Sequence, residues 1–215
     1  MRLLSNRSKV AKLYLSSCSK STVVVMKEAA AELREKILDT AVALFIEKGL
    51  ENVKTRELTT QLGLSRSHIY HYFPDWASLS LEACARFAQQ DLQDFTHEIN
   101  ALPFPQRLNA FIASYLPKEP DAVWQLYSSL WRKATTETAY AELATQLTRQ
   151  WQALMAGIIR DGISAGVFRE ANAEQVARQL SAMLNGYADL LIVVQETEAR
   201  EQAINDLHAF IKLAL

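Results

Sequence analysis

The stretch KTRELTTQLGLSRSHIYHYF, residues 54–73, reads as two short helices joined by a tight turn, the layout that sets a helix into the DNA major groove. Gly63 can take the left-handed backbone that ends the first helix. Ser65 can cap the second by accepting a backbone N–H. Leu58, Leu62, Leu64 and Ile69 are the apolar set available to pack the two helices together. Arg66, Ser67, His68, Tyr70, His71 and Tyr72 are the polar or amphipathic remainder, and some of these must face outward.

On either side of this segment the pattern stays helical. Upstream, Ile37, Ala41, Leu44 and Phe45 fall on one face of a helix that begins near Glu28 and that Gly49 can terminate. Downstream, Pro74 and Asp75 break the chain. Cys84, Phe87, Leu92, Phe95 and Ile99 then mark a long helix reaching about Asn100, stopped by Pro103 and Pro105. Helices follow over Pro105–Leu116 and Asp121–Thr135, and then from Tyr140 through Ile158 until Gly162 and Gly166 loosen the pattern. Asn172 with Gln175 three residues later matches a capping box, and a broad apolar face runs from Val176 to Val194. Ile204, Leu207 and Ile211 carry a last helix. With no strand alternation, repeat or low-complexity tract, the fold class is all-α: an N-terminal three-helix unit with a helix-turn-helix over 28–75, and a C-terminal helical bundle over 76–215.

Composition narrows the function. A chain of 215 residues, 49% apolar, can build a substantial core, and six Gly with five Pro favour long helices. No run approaches the roughly 20 apolar residues of a membrane span, so no membrane partner is expected. Cys18 and Cys84 offer neither a metal spacing nor a disulfide framework, which points to a reducing, cytoplasmic setting with no metal and no cofactor. The lack of a Gly-rich phosphate loop, a nucleophile elbow or paired metal ligands argues against an enzyme.

The net charge of −1 is uneven along the chain. Residues 1–25 carry five basic residues and no acid, whereas residues 81–215 carry sixteen acidic residues against eleven basic. Within 54–73, Lys54, Arg56 and Arg66 stand against Glu57 alone, which suits a small footprint on phosphates and not a long wrap. Residues 1–27 read as a basic extension outside the folded domains. It is either a disordered arm or a segment upstream of a start at Met26, although a transit peptide shares the composition.

Three blocks in order, REKILDTA at 34–41, LFIEKG at 44–49 and YHYF at 70–73, resemble the DNA-binding part of the tetracycline-repressor (TetR) family. The resemblance covers about a third of the chain, and the remainder is similar to that family in being helical and of suitable length. It implies a homodimer that sets two recognition helices on a palindromic operator in double-stranded DNA, with a small-molecule effector bound in the C-terminal domain. The resemblance further implies a repressor that the effector relieves. Carried onto these residues, the resemblance puts Thr55 and Tyr72 on phosphates, with Arg66, Ser67, His68, Tyr70 and His71 on bases or adjoining phosphates. Lys54, Arg56 and Ser65 complete the expected DNA-binding set, with Arg66 the candidate for guanine. Where the family usually carries a Lys two residues after the position of Pro74, this chain has Trp76. The stretch from Gly166 to Val194 is faintly similar to the betaine-choline regulators within the family.

Trp124, Tyr127 and Trp131 form an aromatic stripe at helical spacing. It is either core or one wall of an effector cavity shared with Tyr115, Tyr140, Trp151 and Tyr187, whose ring faces would suit an apolar or cationic ligand. The apolar stripe of the last two helices, Leu180, Leu184, Leu191, Ile204, Leu207 and Ile211, is the candidate dimer interface. The competing reading is a non-enzymatic helical module that uses 54–73 for protein contacts.

Overall fold

The computed structural model describes residues 24–118, 122–194 and 196–215. Among these the chain forms nine α-helices and no strand: α1 Val24–Lys48, α2 Thr55–Leu62, α3 Arg66–Tyr72, α4 Trp76–Asn100, α5 Arg107–Tyr115, α6 Ala122–Ala134, α7 Thr138–Ser164, α8 Ala173–Val193 and α9 Thr197–Ala214. A short 3₁₀ turn, Phe104–Gln106, leads into α5. The fold is all-α. The expectation for the basic arm falls largely on residues 1–23, which lie outside the described residues. The first helix begins at Val24, four residues before the position expected.

Packing divides the chain into two compact units. One holds the described residues through Phe87 together with Gln125–Tyr140, and the other holds Ala88–Trp124 with Ala141–Leu215. The α4 helix contributes residues to both units.

In the first unit, Ile37, Ala41, Leu44 and Phe45 are buried, as their spacing requires. Gly49 ends α1 at φ +85°, and its N–H bonds the Phe45 carbonyl at 2.9 Å. The first turns of α4 bury Leu79, Ala83 and Cys84. They are tied to α1 by Arg34 with Glu82 (2.6 Å) and by Arg86, whose guanidinium meets Asp39 (2.6 Å) and Glu35. Burial raises the Asp39 carboxyl above its ordinary value even though the Arg86 guanidinium pulls the other way. Arg132 of α6 donates to both oxygens of Glu51, at 2.6 and 2.7 Å.

In the second unit, α8 and α9 run antiparallel. The Tyr187 hydroxyl donates to Asp206 at 2.7 Å midway along the pair, and the Arg169 N–H, ahead of α8, reaches the Leu215 carbonyl at 2.8 Å. Asn172 caps α8 by accepting the Gln175 N–H at 2.9 Å. α5 packs against both helices, with Arg200 donating to the Ala113 carbonyl at 2.7 Å and the Tyr115 hydroxyl to Asn185 at 2.5 Å.

This packing encloses much of the apolar face of the last two helices. Leu180, Leu184 and Leu207 are fully enclosed within one chain and Leu191 is 8% exposed, so these side chains build the protomer's own core. Ile204 and Ile211 are half-buried. Helical periodicity marks the most apolar face, and here that face is taken up by neighbouring helices of the same chain. The large apolar side chains left open on these helices are Leu190 (50% exposed), Val193 (81%) and Leu213 (77%).

Candidate nucleic-acid interface

The α2–α3 turn forms as its residues dictate. Gly63 sits at φ +66°, a backbone that costs an L side chain about 1–2 kcal/mol, and the Leu64 N–H reaches back to the Thr59 carbonyl at 3.1 Å. Ser65 is extended, and its Oγ accepts the His68 N–H at 3.2 Å while lying 2.9 Å from the Ser67 hydroxyl. With only seven residues, α3 has too little helical propensity to stand alone. Its single buried residue, Ile69, anchors it. Leu58 shares that core, whereas Leu62 and Leu64 are only half-buried.

The consequence is a helix that shows most of its surface. Arg66, Ser67, His68, Tyr70 and His71 are exposed, and Tyr72 is half-buried, stacked on His68 at 6.0 Å and edge-on to His71 at 5.3 Å. No acid lies on α3. A helix about 10 Å long that carries a guanidinium, two imidazoles, hydroxyls and phenols matches the width and the donor–acceptor edges of a major groove. Ser65, Lys54 and Arg56 are also exposed. The Glu57 carboxylate accepts the Lys54 N–H at 3.0 Å, and backbone N–H groups, its own foremost, hold it below the usual carboxylate range.

Thr55 is 7% exposed and its hydroxyl lies 2.9 Å from the Tyr70 hydroxyl, a pair that ties α2 to α3. At the start of α4, Trp76 turns its ring to Phe45, edge-on at 6.1 Å, and Asp75 accepts the Ser78 N–H at 2.7 Å. That helix terminus therefore carries its own anion, and the Asp75 carboxyl is held below its ordinary value chiefly by the Ser78 N–H.

The expected effector residues separate. In the second unit, Tyr115, Trp124 and Trp151 come together with Phe95 and Phe111. Tyr115 is edge-to-face with Trp124 (5.1 Å, 77°) and with Trp151 (5.9 Å, 82°), and Phe95 lies 5.0 Å from Trp151 and 4.9 Å from Phe111. In the first unit, Tyr127 lies 5.6 Å from Phe87 and 6.1 Å from Trp131. Tyr140 of that unit is buried beneath the Lys133 ammonium (4.9 Å) with the Cys84 thiol beside its hydroxyl, and burial pushes that thiol up to about 12. Tyr187 is tied to Asp206. Reading from sequence missed Asp91, a carboxylate only 7% exposed on α4. The signal was present: Phe87, Asp91 and Phe95 recur every four residues, a lone charge inside an apolar stripe. Among the described residues no group of side chains is arranged to hold a metal ion, and no helix is long and apolar enough to cross a membrane.

Residues 37–83 match the family described as bacterial regulatory proteins, tetR family, and residues 105–215, just over half the chain, match the BetI-type transcriptional repressor, C-terminal. A helix-turn-helix-type transcriptional regulator of Staphylococcus aureus is 33% identical over 70 residues, which is 33% of this chain and 36% of that protein. The chain thus matches little more than a third of that relative's length. A regulator from Saccharomonospora viridis, crystallised with choline, is 25% identical with a TM-score of 0.71, covering 85% of this chain and 96% of that one. A TetR regulator from Haloarcula marismortui shares the fold at 19% identity, TM-score 0.74, covering 86% and 99%. With its exposed recognition helix and its all-helical second unit matched in turn, the chain belongs to the TetR family of regulators, with a C-terminal part of the BetI type.

Proposed function

We propose that the chain is a sequence-specific DNA-binding repressor that acts as a homodimer on a palindromic operator and is released by a small-molecule effector. The observation that carries this reading is α3: a short helix whose one buried side chain is Ile69 and whose Arg66, Ser67, His68 and His71 are exposed. Arg66 reads guanine through O6 and N7, Ser67, His68 and His71 read neighbouring edges or phosphates, and Lys54, Arg56 and Tyr72 hold the backbone. Tyr70 and Thr55 fix α3 against α2. In a dimer the two copies of α3 would sit about 34–36 Å apart, one turn of duplex. Leu190, Val193 and Leu213 supply the apolar surface for pairing. The protein would work in the cytoplasm, where the chromosome is, and no catalytic step is assigned to it.

The effector site is the cluster of Tyr115, Trp124 and Trp151 with Phe95 and Phe111. Its ring faces stand nearly perpendicular to one another, and the choline held by the Saccharomonospora viridis regulator points to a quaternary ammonium or similar organic cation. Effector and DNA then oppose each other through linkage, and a 100-fold loss of operator affinity needs about 2.7 kcal/mol of coupling. Sedimentation at micromolar concentration tests the dimer, and a monomer there contradicts it. Titration of choline and related ammonium compounds into the operator complex tests the effector. Retention of the operator across the whole panel contradicts the ligand class.

A further inference from the structure

We propose that His68 and His71 meet the duplex as imidazolium ions, so that docking of α3 takes up protons; this rests on α3 being the DNA-reading helix. Both imidazoles are exposed, and one phenol holds them. The half-buried Tyr72 ring stacks on His68 at 6.0 Å and 15° and meets His71 edge-on at 5.3 Å. Histidine is the side chain whose charge ordinarily changes between pH 5 and 8, so its surroundings decide the charge it carries. In the free chain those surroundings offer no available anion. α3 itself contributes Arg66 and the phenols of Tyr70 and Tyr72, and no acid. α2 and its cap contribute Lys54, Arg56 and Glu57, and the Glu57 carboxylate accepts the Lys54 N–H at 3.0 Å. At the start of α4, Asp75 accepts the Ser78 N–H at 2.7 Å and Glu82 is held by Arg34 of α1 at 2.6 Å. The same Arg34 guanidinium lies 4.8 Å from the centre of the Phe73 ring, where α3 ends. Among the described residues no acid pairs with either imidazole.

A duplex reverses that balance, since it carries about one negative charge per 1.7 Å of its axis. The complex then holds more protons than the separate chain and duplex, and linkage requires affinity to fall as pH rises through neutrality. Protonation also sets what the rings can read. An imidazolium has two N–H donors and no acceptor, so it takes guanine N7 or O6, thymine O4 or a phosphate, and disfavours the amino groups of adenine and cytosine.

The test follows the affinity of the full chain for the duplex enriched by selection, using fluorescence anisotropy at pH 6 and pH 8 with ionic strength held fixed. Each imidazole is expected to contribute about fivefold, so the wild-type chain should bind about 25-fold tighter at pH 6 than at pH 8. Glutamine is polar and neutral at both pH values. His68→Gln and His71→Gln should therefore each leave about fivefold, and the double variant about none. Both positions are exposed, and native helicity is checked at each pH. Calorimetry in two buffers of different ionisation enthalpy should show net proton uptake on binding at pH 7. Equal wild-type affinity at the two pH values, absence of proton uptake, or a double variant that keeps the full pH dependence overturns the proposal. Failure of the underlying reading looks different: the wild-type chain would then bind no duplex at either pH, which removes both.

Discussion

Gly63→Ala isolates the backbone demand of the helix-turn-helix. At φ +66° the glycine occupies the left-handed region, and a Cβ built there meets nothing within 4 Å, so sterics with neighbours contribute nothing and the strain is purely local. That strain is about 1–2 kcal/mol. The substitution also stiffens the unfolded chain, which recovers about 0.4–1 kcal/mol. The net expectation is a loss of roughly 0.5–1 kcal/mol, with the denaturant midpoint lowered and the slope unchanged. Gly49→Ala provides the internal comparison. It carries φ +85°, and its Cβ would lie 3.3 Å from Asn52 Nδ2, which donates to the Lys48 carbonyl at 2.7 Å. Disturbing that bond adds about 1 kcal/mol, so Gly49→Ala should cost more than Gly63→Ala. Urea melts of both variants decide the matter. A Gly63→Ala chain as stable as wild type, or a Gly49→Ala chain less affected than it, would refute the reasoning.

Further expectations follow the same logic. Lys54→Ala should weaken binding to every duplex alike and lower the salt slope by about one, whereas Arg66→Ala should relax preference at one base pair; equal weakening by Arg66→Ala across sequences removes its base-reading role. Asp75, whose carboxyl sits below its ordinary value, stabilises the start of α4 above the unfolded value of 3.8 and loses that contribution as pH falls through and below it. Asp75→Asn should flatten the acid limb of a stability–pH profile, and an unchanged limb would contradict the cap. Cys84, buried with its thiol pushed up to about 12, should resist alkylation at pH 8 in the native protein and react on unfolding. A Cys18→Ser chain isolates this measurement, and rapid native labelling would contradict it.

Local features were legible in the sequence. Gly63, Ser65 and Asn172 each act within three or four residues of themselves, so their roles follow from spacing alone. The α1 stripe from Ile37 to Phe45 is similar, since a helix face is fixed by its own period. What could not be read were pairings at a distance. Thr55 and Tyr70 lie fifteen residues apart on separate helices, and nothing local tells a hydroxyl that faces a phosphate from one that faces a phenol. Leu180, Leu184 and Leu207 were recognisable as an apolar face, but periodicity does not say whether the same chain or a partner covers it. Trp124, Tyr127 and Trp131 share a face yet span about 10 Å of helix rise, enough for its two ends to meet different neighbours. Asp91 is the instructive omission, since a single charge inside an apolar stripe is more informative than the stripe itself.

Selection from random duplexes by the full chain, with the stoichiometry of the selected complex measured by sedimentation, tests the central claim most directly. The account predicts an enriched palindrome whose half-sites are centred one helical turn apart, two chains per duplex, and log affinity falling linearly with log salt. Enrichment of no sequence, or binding that ignores salt, would contradict it.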